Sequence, residues 1–206
     1  DFNNILTALM GNICLGKMYV EPDDELYEIL SVAEKASLRA KNLTRQLLTF
    51  SKGGSPIKMS ASISELVIDT TNFALSGSKI KPEFFIADDL WPVEIDTAQI
   101  SQVINNLVIN AKEAMVNGGK IEIKMENLQD PSNLPLKEGK YLKITIKDYG
   151  TGISKENISR IFDPYFSTKP FGTGLGLASV VSIIKKHDGL ITRSEERRVG
   201  KECRSR

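Results

Sequence analysis

Hydrophobic residues near the start of the chain recur at alternating intervals of four and three residues. In a first stretch these positions are Phe2, Leu6, Leu9, Ile13, Gly16 and Val20. In a second stretch they are Ile29, Ala33, Ala36, Ala40, Leu43, Leu47 and Phe50. This spacing predicts two helices with apolar seams. Pro22, Asp23 and Asp24 predict a turn with a helix N-cap, and Lys52-Gly53-Gly54 predicts the end of the second helix.

Residues 1–54 therefore form a predicted helical hairpin. Three alanines in the second seam allow close helix approach, but two helices alone cannot bury both flanks. A four-helix bundle made by two copies of the hairpin is the economical solution, which predicts a homodimer. The alternative, which stays open, is a hairpin packed on its own C-terminal domain.

The pattern changes near Ile57, where short β-rich runs begin to alternate with helical patterns. Predicted strands cover 57–60, 83–87, 92–95, 120–126 and 141–147. Predicted helices cover 62–75, 96–115 (with Asp96 as N-cap), 153–162 and 175–186. Residues 127–139 and 163–173 are predicted loops. The fold class is thus an α hairpin followed by an α/β domain over residues 55–192.

Composition adds limits on partners and setting. The 206 residues carry a net charge of +1, which gives no reason to expect a nucleic-acid partner. No apolar run approaches the ~20 residues of a membrane span, so no membrane contact is expected in this segment. Only two cysteines, Cys14 and Cys203, are present, which fits a reducing, cytoplasmic setting.

The last 14 residues, Arg193–Arg206, differ from the rest of the chain. They resemble the translation of a DNA-sequencing adapter and lie where a strand is expected to continue from Leu190. Without them the chain has 21 basic and 23 acidic residues, from 27 − 6 and 26 − 3, a net charge of −2. We therefore expect an artefact here and exclude the segment from fold reasoning, a genuine basic tail being the alternative.

Three short motifs near the C-terminal end predict a nucleotide site. They are Asp148–Ile153, Phe162–Phe166 and Gly172–Leu177. They combine an acidic residue at a strand end with two glycine-rich turns and a helix start, where backbone N–H groups attract anions. The alternative for each motif alone is a structural glycine turn.

The predicted helix 96–115 carries two asparagines on one face. Asn106 and Asn110 are four residues apart. The carbonyl of Asn110 could hold a hydrated Mg²⁺, which prefers oxygen ligands. From this helix alone, two asparagines on a solvated face remain an equal alternative.

These residues, in this order, resemble the conserved boxes of sensor histidine kinases. Asn106–Ala114 resembles the N box, Asp148–Ile153 the G1 box, Ile161–Phe166 the F box and Gly172–Leu177 the G2 box. The hairpin takes part as well: Asp1–Leu6 resembles the H box of the group reading His-Asp-Phe-Asn-Asn. Arg39–Ser51 resembles that group's second dimerisation helix.

The resemblance implies a dimerising phosphotransfer hairpin followed by an ATP-binding α/β sandwich of the Bergerat type, as in the gyrase, Hsp90, kinase and MutL (GHKL) superfamily. It implies ATP and Mg²⁺ as cofactors. It also implies two-component signal transduction, in which the γ-phosphoryl group moves to a hairpin histidine and then to an aspartate on a response-regulator receiver domain.

The resemblance also assigns roles to residues. Asp148 would accept a hydrogen bond from the adenine amino group, and Asn110 would ligate Mg²⁺ with Asn106, and with Lys112 or Glu113, nearby. Asp1 would orient the phosphoacceptor histidine, and Asn4 would place water for dephosphorylating the regulator; these two and Asn106 are the implied catalytic residues. The other implied nucleotide-binding positions are Gly150, Gly152, Ile153, Phe162, Phe166, Thr168, Lys169, Gly172, Thr173, Gly174, Leu175, Gly176 and Leu177. For Lys169, a phosphate contact and an ordinary exposed loop lysine are equal alternatives.

Two departures from the family pattern limit this expectation. The phosphoacceptor histidine would immediately precede Asp1, and the single histidine of the chain, His187, matches a structural position after the G2 box. The closing strands with a Gly-x-Gly-Thr-x-Phe pattern are also not found. We therefore expect a fragment, truncated at both ends, that cannot autophosphorylate. Membrane attachment of the full-length protein stays open, as do two alternatives: a gyrase-, Hsp90- or MutL-like ATPase, and a dimerising or phosphatase module without kinase activity.

Overall fold

The computed structural model describes residues 2–52, 55–169 and 172–193. Helices α1 (Phe2–Met18) and α2 (Glu25–Lys52) pack against each other as the predicted hairpin. Asp1, the glycines at 53 and 54, and the tail from 194 to 206 lie outside the described residues, as do the side chains at seam positions 2, 43, 47 and 50.

Near the turn of the hairpin, a cap begins α2 and an ion pair joins the two helices. Asp24 caps α2, since its Oδ1 accepts a hydrogen bond from the backbone N–H of Leu26 at 2.9 Å. Lys17 Nζ donates to Glu34 Oε2 at 2.8 Å, and this hydrogen bond holds the pKa of the Glu34 carboxyl below its usual value. A Cβ added to Gly16 would meet Leu30 Cδ1 at 3.4 Å, an ordinary van der Waals contact, so the Leu30 side chain packs over α1 at this glycine.

The apolar seam of the hairpin is only partly covered within one chain. Leu6 is buried, but Leu9 is 47% exposed and Ile29 is 56% exposed. Leu30, rather than the predicted seam residue Ile29, lies against α1 at Gly16. Two helices share a single line of contact, so apolar residues away from that line remain exposed.

The second part of the chain contains every predicted strand and helix, with shifted bounds. In chain order it consists of β1 (Met59–Ala61), α3 (Ile63–Leu75), β2 (Ile80–Ile86), β3 (Val93–Ile95), α4 (Thr97–Ala114), β4 (Gly119–Leu128), β5 (Tyr141–Asp148), α5 (Lys155–Ile158) and α6 (Gly176–Lys186). Strand β2 begins three residues before the predicted start at Glu83 and contains Pro82. Among the described strands β2 pairs only with β4, and an edge strand tolerates a residue without an N–H donor.

The strands form two small sheets. One has the order β2-β4-β5, with β2 parallel and β5 antiparallel to β4, and the other pairs β1 with β3 antiparallel. One face of β4 is fully buried, with Ile121, Ile123 and Met125 at alternate positions. They share one hydrophobic core with Val67 of α3 and Val180 of α6. The result is an α/β domain with helices packed on a sheet, which confirms the predicted fold class.

A polar junction ties distant elements of this domain together. Asp96 caps α4, because its Oδ1 accepts from the N–H of Gln99 and its Oδ2 from the N–H of Ile57, both at 3.1 Å. The N–H of Asp96 donates to His187 Nε2 at 3.0 Å, and His187 Nδ1 lies 2.9 Å from the carbonyl of Ile183. The neutral imidazole with its proton on Nδ1 satisfies both contacts. This agrees with a structural role for His187.

None of the helices that the structure describes combines the length and apolar character needed to cross a membrane.

His187→Phe is expected to lower the free energy of unfolding by about 1–2 kcal/mol, because the N–H of Asp96 loses its acceptor inside the packed domain. Urea unfolding followed by circular dichroism measures this change. His187→Gln, which keeps an acceptor, is the matched control and is expected to retain part of the stability. Equal unfolding midpoints for His187→Phe and the unmodified chain would refute the structural role.

Candidate nucleotide-binding site

The carboxylate of Asp148 lies at the end of β5 and opens a glycine turn. Its Oδ1 accepts a hydrogen bond from the N–H of Gly150 at 2.9 Å, while the side chain stays exposed. This local bond fixes the orientation of the carboxylate beside the turn. The predicted adenine-recognition residue is therefore an exposed acceptor in a defined position.

The turn after Asp148 packs on the end of α4. The N–H of Thr151 donates to the carbonyl of Ala114 at 3.1 Å. A Cβ at Gly150 would come within 2.6 Å of both the Cβ and the carbonyl oxygen of Ala114, so only glycine fits there. Gly152 has φ +73°, a conformation that also favours glycine. Ala114, which this turn contacts, is the last residue of the N-box motif. The sequence alone does not predict that contact, because it depends on how α4 packs against the turn.

The second glycine turn packs against the Phe162–Phe166 motif. Gly174 has φ +67°, and its carbonyl accepts from the N–H of Tyr165 at 3.0 Å. A Cβ at Gly174 would lie 2.3 Å from the backbone carbonyl carbon of Tyr165. Leu175 is fully buried next to it and fixes the chain entering α6. The two motifs are thus joined by a backbone contact that permits only glycine.

Asn106 connects α4 to the start of α6. Its Nδ2 donates to the carbonyl of Gly176 at 3.3 Å. Because α6 begins at Gly176, this contact places the amide of Asn106 beside the N-terminus of an 11-residue helix. Free N–H groups and the helix dipole make such an N-terminus favourable for anions.

Asn110 and Glu113 lie one turn further along α4 and meet the same lysine. Lys169 Nζ donates to Asn110 Oδ1 at 3.1 Å and forms an ion pair with Glu113 Oε2. Lys112, the alternative neighbour, instead donates to the carbonyl of Ala74 at 3.2 Å. Glu113, and not Lys112, therefore joins Asn110 in this cluster.

The remaining predicted positions surround these contacts. Phe166 is half-buried, with the guanidinium of Arg160 4.5 Å from its ring centre, a cation–π contact that motif reasoning missed. Thr173 Oγ1 accepts from the N–H of Leu175 at 3.4 Å. Phe162 and Leu177 are half-buried; Ile153, Thr168 and Gly172 are exposed. Asn4 is exposed on α1, in the hairpin rather than in the α/β domain.

Three comparisons bear on this arrangement. The family model described as "Histidine kinase-, DNA gyrase B-, and HSP90-like ATPase" matches residues 95–205. The sensor kinase CckA of Brucella abortus (strain 2308) is 36% identical over 201 residues, covering 93% of this chain and 21% of its own length. The chain spans no more than 40% of the first curated relatives that it matches.

Two solved structures share the fold over most of the chain. Full-length ShkA in complex with AMPPNP superposes with a TM-score of 0.69 at 18% identity, covering 90% of this chain and 39% of its own. The histidine kinase ThkA in complex with the response regulator protein TrrA superposes with a TM-score of 0.62 at 22% identity, covering 91% of this chain and 52% of its own.

The superpositions include the hairpin and the α/β domain, and the family match includes α4 and both glycine turns. The chain belongs to the family of histidine kinase-, DNA gyrase B- and HSP90-like ATPases, with the architecture of a sensor histidine kinase core.

Proposed function

We propose that the α/β domain binds Mg-ATP and that, in the longer protein, it phosphorylates a histidine of the hairpin. The observation that carries this proposal is the arrangement along α4. Asn106 contacts the start of α6. Asn110 and Glu113 contact the ammonium group of Lys169. The carbonyl of Ala114 accepts a hydrogen bond from the turn that follows Asp148. From its middle to its C-terminal end, α4 thereby contacts the N-terminus of α6, a cation and the turn next to an exposed carboxylate.

The exposed carboxylate of Asp148 fits the recognition of adenine. A carboxylate accepts hydrogen bonds and donates none, so it pairs with the adenine amino group and not with the carbonyl oxygen of guanine. The hydrogen bond from Gly150 holds one oxygen in place. The two glycine turns leave backbone close to the site without side chains in the way.

The C-terminal part of α4 fits Mg²⁺. Asn110 supplies an amide oxygen and Glu113 a carboxylate oxygen, and both already point at the Lys169 ammonium, so the donors fit a hard cation. When bound, Mg²⁺ would neutralise charge on the transferred phosphoryl group. The N-terminus of α6, with Gly172, Gly174 and Gly176 around it, would orient the phosphates beside Asn106. Catalysis of phosphoryl transfer consists mainly of such positioning and charge neutralisation.

The hairpin is the proposed dimerisation and phosphotransfer element. Its exposed apolar residues include Ile5, Leu9, Ile29 and Val32. Two copies could bury these residues in a four-helix bundle. By position, Asp1 would orient a histidine preceding it, and Asn4, one helical turn beyond that histidine, would place water for dephosphorylation. A response-regulator receiver domain is the proposed partner, a proposal supported by the structure of ThkA with TrrA.

Asp148→Asn is expected to weaken ADP and ATP binding about tenfold or more, because the adenine amino group loses a charged acceptor. Isothermal titration calorimetry with Mg-ADP measures the dissociation constant. Asp130→Asn is the matched control: Asp130 accepts from the N–H of Ser132 two residues on, as Asp148 does from Gly150, but in the β4–β5 loop. Equal affinities for the two variants would contradict the role of Asp148.

The 206-residue chain is expected to acquire no acid-labile phosphate from ³²P-labelled ATP. His187 is the single histidine among these 206 residues, and both of its ring nitrogens are engaged in backbone contacts. A protein extended at both ends by the flanking genomic residues is expected to carry a histidine immediately before Asp1 and to become labelled. Replacing that histidine by glutamine should abolish the label. A label on the unextended chain, or none on the extended protein, would refute the proposal.

Ile29→Glu is expected to shift the protein from dimer to monomer, because it places two charges inside the proposed bundle. Ile29 is 56% exposed in the single chain, so the variant should still fold. Sedimentation velocity measures the oligomeric state. Val116→Glu, at an 87% exposed position outside the hairpin, is the control and should leave the dimer intact. If Ile29→Glu sediments as the unmodified chain does, the seam is not the dimer interface.

A further inference from the structure

We propose that the ammonium group of Lys169 is an internal stand-in for the divalent cation. It contacts the side-chain oxygens of Asn110 and Glu113, and it must leave them when the metal enters. This inference rests on the proposed function, because it assumes that a metal–nucleotide complex binds at α4. It adds a coupling between metal entry and the position of the segment that carries Lys169.

The contact with α4 is a two-donor cation site. Lys169 Nζ donates to Asn110 Oδ1 at 3.1 Å and forms an ion pair with Glu113 Oε2. Residues three apart on a helix share a face, so the two oxygens converge on one point. An ammonium group carries three donors and no acceptor, and these oxygens are also ligands that Mg²⁺ accepts.

Two hydrogen bonds anchor the backbone of Lys169, whose side chain contacts α4. The N–H of Lys169 donates to Ser167 Oγ at 3.1 Å, and the N–H of Gly172 donates to the carbonyl of Lys169 at 3.1 Å. A Cβ at Gly172 would lie 2.0 Å from Ser167 Oγ, so the glycine leaves room for the hydroxyl that accepts from Lys169. Lys169 therefore contacts α4 from a backbone position anchored on Ser167 and Gly172.

Two cations cannot share these donors. Repulsion between Mg²⁺ and an ammonium group a few ångströms away favours the departure of one of them. With metal bound, Lys169 is released from Glu113. Without metal, Lys169 itself supplies the positive charge that faces the phosphates. Replacing Lys169 should therefore weaken nucleotide binding more in the absence of metal than in its presence.

The test compares ADP affinity in MgCl₂ and in EDTA by isothermal titration calorimetry, using the full 206-residue chain. Lys169→Met removes the charge and keeps a similar side-chain length. Lys81→Met, at an exposed position on β2, is the control for loss of one positive charge. We expect the ratio of the dissociation constant in EDTA to that in MgCl₂ to be about tenfold larger for Lys169→Met than for the unmodified chain or the control.

A second readout needs no nucleotide. Glu113→Gln removes the anionic partner of Lys169, so acetylation of Lys169 by acetic anhydride, followed by mass spectrometry, should become at least twofold faster. Acetylation of Lys81 in the same samples should not change. Unchanged reactivity of Lys169 would overturn the stand-in contact.

The outcomes separate this inference from the proposed function. Equal weakening of ADP binding by Lys169→Met in both media would identify an ordinary phosphate contact and overturn the inference, with the nucleotide site intact. An unmodified chain that binds no ADP in either medium would overturn the proposed function and the inference with it.

Discussion

The packing of α4 (Thr97–Ala114) between the core and the candidate site is the constraint on which the rest of the domain depends. One side of the helix is apolar and buried, with Val108 and Ala111 in the common core. The opposite side carries Asn106, Asn110 and Glu113. Because burial of the first side sets the rotation of the helix, the same free energy that stabilises the fold also orients the polar side chains.

Both glycine turns of the site are fixed by backbone contacts too close for a side chain. Gly150 lies against Ala114, and Gly174 lies against Tyr165. Adding a methyl group at either position would push the turns away from the elements on which they rest. The glycines thus have a packing role, and a proposed role in letting the backbone approach phosphates. A substitution at either position would change both at once.

Much of this organisation was predictable because it depends on local periodicity and short motifs. The seam spacing predicted the hairpin, and the Asp96 N-cap and the alternating residues of β4 are present as expected. The errors have specific causes. Strand β2 extends through Pro82, because at a sheet edge a residue without a backbone N–H donor costs little. Helix α5 covers only Lys155–Ile158 within the predicted 153–162. Within one hairpin Leu30, and not Ile29, meets α1 at Gly16, while the prediction that Ile29 lies in a seam between two copies stays a prediction.

The sequence by itself determined the order of helices and strands, the family to which they belong and the residue types available for adenine, phosphate and metal. Those properties follow from hydrophobic periodicity and from motifs whose members are close in the chain. Only the tertiary structure decided which distant groups meet: Lys169 with Glu113 rather than with solvent, Lys112 with Ala74, and His187 with Asp96. These pairs lie 56, 38 and 91 residues apart, and their contacts depend on how separate elements pack, which no local pattern encodes.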